Sequence, residues 1–429
     1  MTAVLFIAFT FLLIIGVPVA FSLGASGLAA ILLGSDLNLS ICAQRMYSGT
    51  ASFSLLAIPF FVLAGNLMSA GGVSRRLINL CNSLIGHVTG GLSMVAIATC
   101  AFFAAISGSS IATAAAVGGI IIPEMLKQRY DRDFAAATVA SSAELGVIIP
   151  PSIGLIMYCV STGESVSTIF IAGFVPGIMI ALTLMVTSHL ISKKQGFVPN
   201  PKATRRERLH ALRDSIWALL MPVLILGSIY TGICTPTEAA VISVVYALVV
   251  GMFVYREIKL SNLKEILLSS VMTTASVMLI VSASNLFGWI MTREQLPQAA
   301  ANLFLSISDS KYVFLLLVNL LLLLVGLFCD AGAAIVILAP ILAPVASALG
   351  IDLIHFGIIM MVNLAVGMMT PPVGVNLYVV CDTANVKIES MMKYLLIYFA
   401  VLVADILLIT YIPAISLTLP ALMNYSAER

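Results

Sequence analysis

The chain has 429 residues, of which 61% are hydrophobic and only 9% are charged, and its net charge is +2. A soluble domain contains about 45–50% apolar and about 25% charged residues. This composition therefore excludes ordinary cytosolic enzymes, nucleic-acid-binding proteins and secreted disulfide-rich proteins. Together with a mean hydropathy of +1.11, it predicts an all-α polytopic membrane protein.

Apolar stretches recur along the whole chain, and a helix needs about 20 residues to cross a bilayer. They lie at 3–16, 18–34, 51–72, 90–107, 111–123, 134–162, 168–192, 213–234, 237–255, 265–291, 311–329, 333–349, 353–381 and 394–418. Two pairs are separated only by short tips of mostly small residues, so we expect re-entrant hairpins at 90–123 and 311–349. Irregular backbone at that depth is tolerated only against protein or a polar cavity. The pattern predicts ten spans plus two hairpins.

Basic residues predict the orientation in the membrane. The loop 193–213 holds seven of the 21 lysines and arginines, which favours the cytoplasm under the positive-inside rule. Counting spans from this loop places both termini in the periplasm. The start of the chain lacks a basic segment before its apolar run, so we expect no signal peptide.

An internal repeat of about 220 residues is the most informative feature of the sequence. A shift of 221 aligns Pro123 with Pro344, Asp131 with Asp352, Gly146 with Gly367 and Pro150-Pro151 with Pro371-Pro372. We therefore expect two repeats, 1–192 and 214–429, joined by the basic linker 193–213. Five crossings per repeat is an odd number, so the second repeat is inverted relative to the first. Inverted repeats with broken helices are typical of secondary transporters.

The two proline pairs lie inside predicted spans, at 134–162 and 353–381. Proline removes a backbone donor and clashes with the preceding turn, so each pair should break its helix and free carbonyl groups. The hairpin tips add the hydroxyl groups of Ser107, Ser109 and Ser110 in the first repeat. Asp330, Gly332, Gly367 and Thr370 occupy the corresponding positions in the second. Sites of neutral oxygens favour a monovalent cation such as Na⁺ over Ca²⁺ or Zn²⁺.

Few charges fall within or beside the predicted spans, and such charges are candidates for function. Asp330 lies at the second tip, and Arg293 lies at the outer end of span 265–291, where it can meet a substrate carboxylate or anchor the helix at the interface. Glu144 and Glu238 are better explained by packing or capping. The four histidines and seven cysteines show no metal-binding spacing.

Four motifs carry a resemblance to a known family. They are Ser107-Gly-Ser-Ser-Ile-Ala-Thr113, Gly118-Gly-Ile-Ile-Ile-Pro-Glu124, Gly146-Val-Ile-Ile-Pro-Pro-Ser152 and Met369-Thr-Pro-Pro-Val-Gly374. The opening Ile58-Pro-Phe-Phe-Val-Leu-Ala-Gly65 is also similar. Together they resemble the large membrane subunit of tripartite ATP-independent periplasmic (TRAP) transporters over essentially the whole chain.

The resemblance implies an elevator-type carrier of the bacterial inner membrane that takes up an organic acid with Na⁺. It implies two partners on separate chains, a small four-helix membrane subunit and a periplasmic substrate-binding protein. The first Na⁺ site maps onto Ser107, Ser109, Gly146, Ile149 and Pro151, and the second onto Gly332, Gly367 and Thr370. Asp330, Arg293 and Ser110 are the candidate substrate residues. The expectation that Arg293 is the only strong cation near the outer cavity favours sialic acid or a similar sugar acid over a C4-dicarboxylate.

Three alternatives remain open at this point. An intramembrane enzyme needs a nucleophile with its base or a metal cluster, and the isolated histidines argue against it. A channel does not need a pair of inverted hairpins. A partner-free Na⁺/dicarboxylate elevator carrier shares those hairpins and is the strongest alternative.

Overall fold

The computed structural model describes residues 1–197, 199–307, 310–371 and 374–423. All regular structure in these ranges is helical, which confirms the all-α prediction. Pro372, the second proline of the predicted second break, lies outside the described residues. Every apolar stretch predicted from the sequence overlaps a helix, while the number of membrane crossings stays a prediction.

The helices in chain order are α1 Thr2–Ile14, α2 Val19–Gly34, α3 Ser40–Thr50, α4 Ala57–Ala70, α5 Val73–Ile85, α6 Gly91–Ser107, α7 Ser110–Lys127, α8 Arg132–Ala143, α9 Leu145–Ile148, α10 Ile153–Thr162, α11 Val166–Gln195, α12 Arg205–Tyr230, α13 Pro236–Val249, α14 Leu260–Arg293, α15 Leu296–Ile307, α16 Lys311–Gly326, α17 Ala331–Ala348, α18 Leu353–Met368, α19 Val375–Ala384, α20 Ile388–Tyr411 and α21 Ala414–Leu422. A short 3₁₀ helix, Phe53–Leu56, precedes α4, and a π-helical turn, Val250–Val254, extends α13. Within the described ranges, nine helices or continuous helical segments are long and apolar enough to cross a membrane. The chain is therefore a polytopic membrane protein.

The predicted basic linker is shorter in the structure than in the sequence pattern. Helix α11 continues through Lys193 and Lys194 to Gln195, because basic side chains in a last turn interact favourably with the helix dipole. Helix α12 then begins at Arg205, after Thr204 and Glu207 form a capping box. Glu238 closes an equivalent box at the start of α13, so its predicted capping role is confirmed.

The two halves of the chain pack with exchanged partners. Helix α10, which follows the first break, packs on α17 of the second hairpin, and α19, which follows the second break, packs on α7 of the first hairpin. In the same way α8 contacts α20 and α18 contacts α11. Such reciprocal contacts are those of a pseudo-two-fold arrangement. They join the hairpins and broken spans of both halves into one body.

Gly326 on α16 and Gly367 on α18 allow the backbones of the two helices to come into direct contact. A Cβ atom added at Gly367 would lie 2.6 Å from the Cα atom of Gly326. We expect Gly367→Ala to lower the melting temperature of the purified protein by several degrees, because overpacking a closed contact costs about 1–3 kcal/mol. Gly227→Ala is the matched control, since nothing lies within 4 Å of the added atom. Equal melting temperatures for the two variants would contradict the prediction.

Candidate functional site

The first hairpin tip is held by its own hydroxyl groups. Helix α6 ends at Ser107, and Gly108 turns the chain with a φ of +62° that favours glycine. Ser109 starts α7 by accepting a hydrogen bond from the Ala112 amide at 3.3 Å. The hydroxyl groups of Ser107 and Thr113 lie 3.0 Å apart, and Thr113 donates to the Ser109 carbonyl at 2.7 Å. The tip is a compact set of hydroxyl and carbonyl oxygens.

This tip lies directly against the first helix break. Helix α9 ends at Ile148, and Ile149 is extended, with φ −76° and ψ 127°. A Cβ atom at Gly108 would lie 2.7 Å from the Pro151 carbonyl oxygen, and one at Gly146 would lie 2.5 Å from the Ser109 carbonyl oxygen. Glycine is thus required on both sides of the contact. The structure brings the predicted residues Ser107, Ser109, Gly146 and Pro151 together, with Ile149 in the same loop.

The chemistry of this group of residues fits a hard monovalent cation. The tip contributes the Ser107 and Ser109 hydroxyl groups and the Ser109 carbonyl, and the facing break contributes the Pro151 carbonyl. Among the described residues, no group of three or more His, Cys, Asp or Glu side chains is placed to hold a metal ion. Neutral oxygens without carboxylates suit Na⁺ better than a divalent ion.

The second tip is built around Asp330. Its carboxylate caps α17 by accepting from the Gly332 amide at 2.9 Å. A Cβ atom at Gly332 would lie 2.9 Å from the Met157 sulfur, so α17 meets α10 closely here. Gly367 lies in the last turn of α18 and contacts Gly326, which directly precedes the tip segment 327–330. Thr370 follows and donates its hydroxyl to the Val366 carbonyl at 2.9 Å.

A cavity of about 390 Å³ separates the two tips from α14. Its lining includes the polar residues Ser109, Ser110, Asp330, Thr273 and Ser276, together with Gly332. The structure therefore brings the candidate substrate residues Ser110 and Asp330 to one cavity. Arg293 does not line it, because Arg293 ends α14 about 20 Å along the helix from Ile280 in the cavity wall.

Arg293 is not the only strong cation at its end of α14, so that expectation is wrong. The Arg45 guanidinium of α3 lies 4.8 Å from the ring centre of Trp289, and the Arg293 guanidinium lies 5.6 Å from it. Sequence reasoning missed Arg45 because α3 falls between the predicted apolar stretches and contacts α14 only in the folded chain.

Glu144 and Asn376 form a second arrangement that sequence reasoning missed. Both side chains are 0% exposed, and the Asn376 amide donates to Glu144 Oε1 at 2.6 Å. Glu144 precedes the first break and Asn376 follows the second, so this bond ties the two broken spans together. Glu144 Oε2 and Asn376 Oδ1 have no hydrogen-bond partner among the described residues. A buried carboxylate with a single hydrogen bond is costly, and the Glu144–Asn376 pair is unusual for that reason.

Comparison with known proteins agrees with this architecture. Residues 6–415 match the family model of the tripartite ATP-independent periplasmic transporter, DctM component. The chain is also similar in fold to the crystal structure of the Alcanivorax borkumensis YdaH transporter, with a TM-score of 0.66 at 15% identity over 95% of this chain and 98% of that one. At that identity the likeness concerns the fold alone.

Relatives of higher identity are named for different substrates. A C4-dicarboxylate TRAP transporter large permease of Pseudomonas aeruginosa is 43% identical over 94% of this chain and 95% of its own length. A sialic acid TRAP transporter large permease of Vibrio cholerae is 43% identical over 96% of both chains. An isethionate TRAP transporter permease of Oleidesulfovibrio alaskensis is 45% identical over 96% of this chain, which spans 65% of that relative's length.

These relatives are named as transporter permeases and not as enzymes. The permease relatives and the apolar helices together indicate a multi-pass protein of the inner membrane. The family match covers most of the chain, and the relatives align along nearly all of it. The chain therefore belongs to the DctM component family of tripartite ATP-independent periplasmic transporters.

Proposed function

We propose that the chain is the large permease of a Na⁺-coupled transporter that takes up an organic acid by an elevator mechanism. Its partners are a small four-helix membrane subunit on a separate chain and a periplasmic protein that delivers the acid. The amino and carboxyl termini face the periplasm in this proposal. Membership of a tripartite family favours it over a partner-free Na⁺/dicarboxylate carrier.

The contact between the first tip and the first break carries the proposal of Na⁺ coupling. The Ser107 hydroxyl group lies 3.4 Å from the Ser109 carbonyl oxygen. An added Cβ atom would lie 2.7 Å from the Pro151 carbonyl oxygen at Gly108 and 2.5 Å from the Ser109 carbonyl oxygen at Gly146, so both positions require glycine. The cavity with Ser110 and Asp330 lies beside this contact. An ion bound there orders the tip that forms part of the substrate cavity. Ion and acid binding are thus coupled through Ser109, which belongs to both places.

Two features support an elevator movement. The hairpins and broken spans of both halves pack on one another with exchanged partners, so they can move as one body. Helix α14 forms the opposite wall of the cavity through Thr273, Ser276, Val277 and Ile280. Translation of the body along α14 moves the cavity relative to this wall and exposes it on the other side of the membrane.

The cargo class follows from the relatives' names, which give C4-dicarboxylate, sialic acid and isethionate. All three are organic acids, and the candidate substrate residues are Asp330, Ser110 and Arg293. We propose that the cargo is an organic acid, with sialic acid or another sugar acid and a C4-dicarboxylate as the first compounds to test.

Replacing Na⁺ by K⁺ should reduce uptake to background. The chain is reconstituted in liposomes with its small subunit, the binding protein is added outside, and accumulation of a radiolabelled acid is measured. The membrane potential is clamped equally in both salts, so that only the cation differs. Equal uptake in K⁺ would overturn the proposed coupling to Na⁺.

A further inference from the structure

A second polar cavity lies away from the hairpin tips, between α3 and α14 on one side and α10 and α17 on the other. Its volume is about 240 Å³, and it shares no lining residue with the cavity at the tips. The polar residues that line it are Arg45, Ser161, Ser284, Asn285, Trp289 and Thr292. The proposed function leaves this cavity without a role.

The packing of α3 on α14 fixes the geometry of the cavity. Gly49 leaves room for Asn285, since a Cβ atom there would overlap the Asn285 side chain. Ser282 donates to the Met46 carbonyl at 2.9 Å. Arg45, one turn before Gly49, is thereby placed over Trp289, one turn after Asn285. Its guanidinium lies 4.8 Å from the ring centre, which holds the charge at the cavity by a cation–π contact.

Among the described residues, no carboxylate forms an ion pair with the positive charge at this cavity. Arg45 and Arg293 flank the same Trp289 ring, and neither takes part in an ion pair among the described residues. Glu294 is next to Arg293 in sequence, but its carboxylate contacts the Met1 amino group at 3.5 Å and accepts from the Thr2 hydroxyl at 3.1 Å. The hydrogen bond from Thr2 also holds the pKa of Glu294 below its ordinary value. Glu294 is therefore ionised, and its partners are the Met1 amino group and the Thr2 hydroxyl group.

The opposite wall of the cavity comes from the elements that carry the site. Ser161 lies on α10, after the first break, and Val336 and Pro340 lie on α17, after the second tip. A movement of these helices along α14 changes the distance between Arg45 and Ser161. In the proposed elevator movement, the cavity is therefore complete only in some positions of α10 and α17.

We propose that this cavity is a second carboxylate-binding subsite, at which the acid pairs with Arg45 before or after it occupies the cavity between the tips. The Asn285 amide supplies a neutral hydrogen-bond donor beside the guanidinium, whereas the Ser161 and Ser284 hydroxyl groups donate to the Met157 and Val281 carbonyls at 2.8 and 2.9 Å. A guanidinium matches a carboxylate in charge and geometry. This inference rests on the proposed function in taking the cargo to be an organic acid and α10 and α17 to move along α14.

Trp289 is a built-in reporter for this subsite, because the chain has only two tryptophans. Trp217→Phe leaves Trp289 as the single emitter. The purified full-length chain in lipid nanodiscs is titrated with two carboxylates, succinate and sialic acid, each as its choline salt at constant ionic strength. We expect a saturable change in Trp289 emission for at least one acid.

In the same background, Arg45→Gln should weaken the apparent Kd of that acid at least tenfold, and Arg45→Lys should weaken it less. Lys311→Gln is the matched control: its ammonium group also lies over an aromatic ring, that of Tyr312 at 5.5 Å, and does not line the cavity. A melting curve of each variant confirms that it is folded. A signal that does not saturate, or an unchanged Kd in Arg45→Gln, would overturn the subsite. So would a signal that Asp330→Asn abolishes and Arg45→Gln leaves intact, because it would report the tip cavity.

The two proposals fail in different ways. The titration uses neither Na⁺ nor the partner subunits, so Na⁺-independent uptake would overturn the coupling and leave the subsite standing. Saturable uptake without any Arg45-dependent binding would overturn the subsite and leave the coupling standing.

Discussion

Gly146→Val should reduce Na⁺-driven uptake at least about tenfold, with a weaker apparent affinity for Na⁺. The added Cβ atom would lie 2.5 Å from the Ser109 carbonyl oxygen and 2.6 Å from the Thr113 hydroxyl oxygen. Neither oxygen atom can move away from the added carbon without disturbing the hydrogen bond that the Thr113 hydroxyl group donates to the Ser109 carbonyl at 2.7 Å. Overpacking of this kind costs about 1–3 kcal/mol, and each 1.4 kcal/mol changes an equilibrium about tenfold. Initial uptake rates across a series of Na⁺ concentrations measure the change.

Gly119→Val is the matched control for this variant. Gly119 lies on α7 of the same hairpin, and nothing stands within 4 Å of an added Cβ atom. We expect it to retain the Na⁺ dependence of the parent protein. If Gly146→Val transported with unchanged Na⁺ affinity, the tip and the break would not form the ion site.

Asp330→Asn should abolish most uptake while leaving the protein as stable as the parent. Asparagine caps a helix about as well as aspartate, so the bond to the Gly332 amide, 2.9 Å in the parent, can be kept. Only the negative charge at the cavity is lost. Asp330→Ala removes the cap as well, which costs about 1 kcal/mol, so it should also melt at a lower temperature. Uptake and thermal melting of the two variants separate the charge from the cap.

Asp352→Asn provides the comparison for this pair. Asp352 caps α18 through the Ile354 and His355 amides at 2.8 and 3.2 Å, and it does not line the cavity at the tips. Its replacement should preserve uptake. Normal transport by Asp330→Asn would show that Asp330 only caps α17.

The sequence predicts the helical elements well where local chemistry decides them. The small residues and glycine at 107–110 predict a turn. In the structure, α6 ends at Ser107 and α7 begins at Ser110. The first break follows from Pro150-Pro151, since proline removes a backbone donor. Helices α3, α5 and α15 were not predicted. Helix α5 is amphipathic and carries Arg75 and Arg76, so it gives no continuous apolar run.

The sequence predicts contacts between distant segments poorly. The bond between Glu144 and Asn376 and the contact between Arg45 and Trp289 join residues more than 200 positions apart. Neither the repeat nor the hydropathy pattern contains this information, because each pair consists of different residue types in different repeat positions. The repeat did help where both partners belong to the paired motifs, as with the Ser109 tip and the Gly146 break.

The exchange of packing partners bears on how such a chain could have arisen. Helix α10 is covered by the hairpin of the other half, and so is α19. A half-length ancestor would have left the segment after its break exposed, unless a second copy inserted in the opposite orientation covered it. Two antiparallel copies of one short gene product satisfy this need, and a fusion of duplicated genes then makes the pairing permanent. A chain of this origin allows residues such as Asp330 and Arg45, each present in one half only, to differ between the halves while each hairpin still covers the segment after the other half's break.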